Sequence, residues 1–108
     1  MENQKEVVSI GIQEMEISVE FTSIARILTG VKQFNLHVNP QTTFLQILDQ
    51  IAKQYPQLVG QLIDPQTNRF YASNLFSING QRMLRDDEMD LCPNDGDRLI
   101  ILSLLAGG

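Results

Sequence analysis

The sequence predicts an α+β fold, a mixed β-sheet with one main helix packed across it. Three observations carry this. MEISVEF and KQFNLHV alternate apolar and polar residues with period two, the mark of half-buried strands. FLQILDQIAKQY carries its apolar residues at helical spacing. RLIILSLL is apolar on both faces, as suits a strand in the middle of a sheet. With a single strong helix, only one sheet face can be covered by it.

The elements follow in chain order. Residues 1–14 read as an arm ahead of the domain; Val8, Ile10 and Ile12 alternate, but Gly11 weakens a strand there. In the first strand Met15, Ile17, Val19 and Phe21 share one face, with Glu16, Ser18 and Glu20 on the other. SIARILTG follows and ends at Gly30. The short connection predicts a hairpin into the second strand, where Phe34, Leu36 and Val38 point inward. NPQTT breaks the chain, and Thr42 or Thr43 can accept from the first free amides of a helix. That helix buries Phe44, Ile47, Leu48, Ile51, Ala52 and Tyr55, and Pro56 stops it. QLVGQLI reads as a further short helical turn and DPQTNR as a polar loop. SNLFSING is a strand ending in Asn79-Gly80, a favoured two-residue hairpin turn, and QRML is the returning strand. RDDEMDLCPNDGD is a loop with Met89 and Leu91 as anchors. The order strand, strand, helix, strand, short strand, strand is that of a β-grasp domain.

Composition narrows the function. At 108 residues the chain holds one domain, and 43% hydrophobic with 19% charged residues describes a globular one. Eight Lys and Arg in a chain of net charge -5 supply no cationic stripe, which argues against nucleic acid as a partner. An acidic surface suits a protein partner with a basic patch. The single Cys92 allows no intramolecular disulfide, which points to a reducing compartment. MENQKEVVSI lacks the apolar run of a signal peptide or membrane anchor. The expectation is a cytoplasmic protein that does not engage membranes.

Residues that could carry chemistry are few. His37 alternates outward and reads as a solvated surface group. Cys92 has no nearby His or second Cys to make a metal site or a nucleophile. RDDEMD reads as a solvated loop, with pairing to a basic partner surface as the sharper reading; Arg26 is open between a solubilising and a partner-contact role. DGD is too short for a calcium loop. No metal or cofactor is therefore expected. What stands out is the tail, LLAGG.

Taken together, VEFTSIARILTG, TTFLQILDQIAKQYP, the ING hairpin and NDGDRLIILSLLAGG make the chain resemble the ubiquitin-like sulfur carriers. This family includes the small subunit of molybdopterin synthase and the thiamine-pathway sulfur carrier. The resemblance covers residues 15–108. It implies a ubiquitin-like β-grasp domain over 15–104 and a thin tail over 105–108, made by Leu105, Ala106, Gly107 and Gly108. It further implies that an ATP-dependent adenylating enzyme activates the Gly108 carboxylate and that a sulfur donor converts it to a thiocarboxylate, so the chain is carrier or substrate and not catalyst. Elementary chemistry agrees. A carboxylate needs a good leaving group to react, two residues without Cβ let a partner's backbone approach closely, and residues 104–108 extended reach about 15 Å.

The opening and closing blocks look most like the molybdopterin synthase small subunit, the favoured assignment, with the large synthase subunit as a second partner. QLVGQLIDPQTNRFYAS looks more like carriers for other pathways, such as thiamine, cysteine or tRNA thiolation, and like ubiquitin-related modifiers. Conjugation to a target lysine through Gly108 is therefore the alternative, and a non-covalent ubiquitin-like binding module the third reading. In the last strand Leu99 and Ile101 face the helix. Ile100, Leu102 and Leu104 then form an apolar partner-binding face, unless the N-terminal arm covers it.

Overall fold

The computed structural model describes residues 14–104. Residues 1–13, most of the expected arm, and 105–108, the whole expected tail, lie outside the described residues.

Period two in the sequence becomes a burial rhythm in the first strand, β1 (Met15–Phe21), whose odd-numbered residues are all buried. β1 pairs antiparallel with β2 (Gln33–Val38) from Met15 opposite Val38 to Glu20 opposite Gln33. The pairing is as expected; the short hairpin connection is not. A seven-residue helix, α1 (Ser23–Thr29), fills the connection. It pins Ala25 into the core and ends at Gly30, whose φ of 71° closes the last turn through its N–H to the Arg26 carbonyl at 2.8 Å.

The main helix, α2 (Phe44–Gln54), begins with a capping box. Thr43 Oγ1 accepts from the Gln46 N–H, and the Gln46 side chain accepts from the Thr43 N–H. Of the two cap candidates, Thr43 is the cap. Two further free amides at the helix start, those of Phe44 and Leu45, donate to the carbonyls of Leu91 and Met89. Phe44, Ile47, Leu48 and Ile51 are buried against the sheet. A short 3₁₀ turn at Pro56–Leu58 follows, as the proline requires.

The segment read as a polar loop is instead the turn of a small hairpin, β3 (Ile63–Asp64) and β4 (Arg69–Phe70). Its two buried apolar residues, Leu62 and Ile63, hold it to the core. β5 (Asn74–Ile78) and β6 (Arg82–Met83) form the expected hairpin, with Asn79 and Gly80 at positive φ, 57° and 67°, but Ile78 pairs with Arg82, so the loop has three residues, Asn79 to Gln81, and not the expected two. A 3₁₀ turn at Asp86–Glu88 leads to the last strand, β7 (Arg98–Ser103). Met89 anchors this loop, but Leu91 does not. Its side chain is 52% exposed and only its carbonyl is used, on the Phe44 amide.

The main sheet has the order β2-β1-β7-β5-β6. β7 lies parallel to β1 and antiparallel to β5, so the most apolar strand is the central one. The main helix packs across one face of this mixed sheet, and α1 is a second, smaller helix at its corner. The fold is the expected α+β β-grasp. No helix among the described residues is long and apolar enough to cross a membrane.

Candidate functional site

β7 is the strand that feeds the tail, and the site is built around where it leaves the sheet. Its inward residues, Leu99 and Ile101, are fully buried. Both start and end are tied. At the start the Asn79 N–H donates to the Arg98 carbonyl at 2.8 Å, and the Arg98 N–H donates to Asn79 Oδ1 at 2.8 Å. At the end the Leu104 N–H donates to the Ser73 carbonyl at 2.8 Å, and the Thr22 hydroxyl donates to the Ile101 carbonyl at 2.7 Å. Ser103 Oγ is hydrogen-bonded to Asn74 Oδ1 beside it. Gly108, Gly107, Ala106 and Leu105 themselves lie outside the described residues.

The outer face of the sheet brings the expected partner residues together. Ile100 and Leu102 alternate with the buried pair and are half-buried, while Leu104, at the exit, is 49% exposed. Cross-strand register adds residues that the sequence reading missed. Leu75 lies opposite Leu102, Ser77 opposite Ile100, and Met83 opposite Ser77. Met83 is 54% exposed, so the apolar strip runs across β7, β5 and β6. On the other side Glu20 lies opposite Ile100 and pairs with Arg98 at 3.3 Å, giving the strip a charged border. A strict two-residue turn at Asn79-Gly80 would have set Arg82 opposite Ser77; the loop takes in Gln81 as well, and that one-residue shift brings Met83 to the outer face.

The other candidates are scattered. His37 sits on β2, exposed, with Nε2 at 3.6 Å from Glu16 Oε2. Cys92 is an exposed free thiol. Three of the four acids of RDDEMD pair within the chain: Asp86 with Arg69 at 3.1 Å, Asp87 with Arg85 at 3.0 Å and Glu88 with Arg82 at 3.0 Å. The Arg85 backbone N–H, donating at 2.9 Å, holds the Glu88 carboxyl below the usual carboxylate range, with help from Arg82. These charges are engaged internally, which weakens the partner-pairing reading of the loop. A groove of about 440 Å³ beside it is lined by Phe70, Tyr71, Leu75, Leu84 and Met89 among others. Among the described residues no group of three or more His, Cys, Asp or Glu could hold a metal ion.

Solved structures show what this arrangement is similar to. SAMP1, small archaeal modifier protein 1, of Haloferax volcanii superposes with a TM-score of 0.72 at 16% identity, over 86% of this chain and 99% of that one. Urm1 of Trypanosoma brucei gives 0.65 at 24% identity, over 89% and 98%. A molybdopterin converting factor subunit 1 of Pyrococcus furiosus gives 0.59 at 18% identity, over 81% and 94%. No family model and no curated protein sequence matches the chain.

Proposed function

We propose that this chain is a ubiquitin-like sulfur carrier. The observation that carries the reading is β7 itself, the central strand, bonded on both sides and burying Leu99 and Ile101, which ends at Ser103, five residues before the LAGG terminus of the sequence closes at Gly108. The structural likeness to small carriers and modifiers supports it. In this function the Gly108 carboxylate attacks the α-phosphorus of ATP in the pocket of an adenylating enzyme, and pyrophosphate leaves. Hydrosulfide, or a sulfur donor that delivers it, then attacks the acyl carbon; AMP leaves and a thiocarboxylate remains. The chain supplies the acyl group and the docking surface, and the partner supplies the catalysis. The assignment favoured by the opening and closing sequence blocks is the small subunit of molybdopterin synthase, with the large subunit receiving the tail after activation.

The outer strip of Ile100, Leu102, Leu104, Leu75 and Met83 is the surface proposed for these partners. Apolar residues lying together at a tail's exit are what a partner that swallows the tail must cover.

Intact mass after incubation with an adenylating enzyme, ATP and sulfide tests the reading. One carboxylate oxygen should be replaced by sulfur. Deleting Gly108, or extending the chain beyond it, should abolish the change while leaving thermal stability untouched. A chain extended past Gly108 that still works in cells with its extension intact would overturn the proposal. A second reading, covalent modification of target lysines through Gly108, is favoured by the likeness to a protein named as a modifier. High-mass conjugates that disappear in the Gly108 deletion would select it.

A further inference from the structure

We infer that a second surface, the corner formed by α1, docks the enzyme that activates the tail, through an apolar contact rimmed by acidic side chains on that enzyme. The inference rests on the carrier reading and deepens it. Helix α1 is short and spends only Ala25 and part of Leu28 on the core. Its two isoleucines face outward: Ile24 is 39% and Ile27 81% exposed, the latter the largest exposure of any big apolar residue described. Leaving an aliphatic side chain in water is unfavourable, and the described residues do not cover this one.

The corner is also next to the end of β7. A groove of about 350 Å³ is lined by Ile24, Gly60, Leu62, Tyr71, Ser73 and Ser103, among others. Ser103 is the last residue of β7, and Ser73 accepts the Leu104 amide. The Thr22 hydroxyl, immediately before α1, holds the Ile101 carbonyl. β7 thus ends between two apolar surfaces, the outer sheet strip and the α1 corner. The four residues from Leu105 to Gly108 span roughly 14 Å at most. An enzyme that brings Gly108 to its nucleotide therefore has to press against the surface around Leu104.

Charge identifies the kind of surface it presses with. Lys53, Arg69, Arg82, Arg85 and Arg98 each pair with a carboxylate. Among the described residues, the two cations with no ion-pair partner are Arg26 and Lys32, both exposed and both within the β1–β2 connection. In a chain of net charge -5, this corner is where the described residues set unpaired positive charge beside exposed isoleucine. Its complement is an apolar patch bordered by Asp or Glu.

Pyrophosphate exchange with the adenylating enzyme encoded in the same genome tests this, with the full-length chain as the varied substrate. Ile27→Glu and the charge reversal Arg26→Glu/Lys32→Glu alter exposed side chains, and circular dichroism verifies that both remain folded. Each should raise the KM for the carrier by about tenfold or more, with kcat within about twofold, as expected for a lost docking contact. The wild-type KM should rise with added salt, and the charge reversal should lose that dependence. Exchange with wild-type KM values in both variants would overturn the α1 docking surface and leave the carrier reading standing. An inert wild-type chain would instead overturn the carrier reading, and this inference with it.

Discussion

The two ends of β7 are held differently. Where the strand begins, the preceding turn is knotted into its neighbours. Asp95 Oδ1 accepts the Glu16 amide at 2.8 Å, the Gly96 N–H donates to the Glu16 carbonyl at 2.8 Å, and Asp97 accepts both the Asn94 amide at 2.8 Å and the Asn79 side-chain amide at 3.0 Å. Where the strand ends, the bonds among the described residues beyond the ladder with β5 and β1 are one backbone bond to Ser73 and those of two hydroxyls, Thr22 and Ser103. Charged acceptors make the stronger hydrogen bonds, and both carboxylates of the turn sit at the start. Among the described residues, the charge-assisted bonds thus gather where the strand begins and neutral ones where it ends.

The largest effect that would sharpen this contrast comes from paired truncations along β7. Leu99→Ala, in the fully buried lower half, should cost about 2–5 kcal/mol in a denaturant melt. Leu102→Ala, on the half-buried outer face, should cost about 1 kcal/mol or less, because solvent or a partner takes up the space. Equal losses at the two positions would mean that the outer face is as deeply packed as the core. Next in size, Asp97→Ala removes the acceptor for two donors and should cost about 2 kcal/mol. At the opposite end Thr22→Val keeps the shape, loses the bond to the Ile101 carbonyl and should cost about 1 kcal/mol. A Thr22→Val loss exceeding that of Asp97→Ala would reverse the order of the two ends.

The smallest effect concerns pH. The Glu88 carboxyl is held below its ordinary range by the Arg85 amide and then Arg82, so its contribution is present above the unfolded-state value of about 4.3 and fades as pH falls through the lower folded-state value. Wild type and Glu88→Gln should therefore differ in melting temperature at neutral pH and converge in acid. A gap that persists unchanged under acidic conditions would show that the bond to Arg85 does not depend on charge.

How much of this was readable beforehand depended on element length and on which part of a residue does the work. The long strands and α2 declared themselves because period two or 3.6 repeats several times within each, and the Asn79-Gly80 turn is local chemistry; the cap was open between Thr42 and Thr43, and the Gln46 half of the box went unread. Helix α1 did not, for physical reasons. Seven residues is below the length at which propensity can specify a helix; Thr22 gives its hydroxyl to Ile101 and not to the helix start; and the outward isoleucines break any amphipathic rhythm. β3 and β4 have two residues each, too few for alternation to be read. Leu91 looked like an anchor because its side chain is apolar, whereas the fold uses its carbonyl. At the candidate site, the faces of Ile100 and Leu102 followed from alternation within one strand. Leu75 and Met83 joined them only through pairing between strands, which one segment cannot display.

The parallel pairing of β1 with β7 has a mechanical meaning. The chain enters β1 at one end of the sheet and leaves β7 at the other. A pull on the exit of β7 against the start of β1 therefore drags two neighbouring strands past each other in shear, straining the bonds between them all at once and not one by one. Along the β1–β7 direction the domain behaves as a clamp; peeled from the β2 or β6 edge it behaves as a zipper. A partner that grips the end of the chain and tugs, or a molecular motor that hauls on it, pulls in the direction in which the sheet yields last.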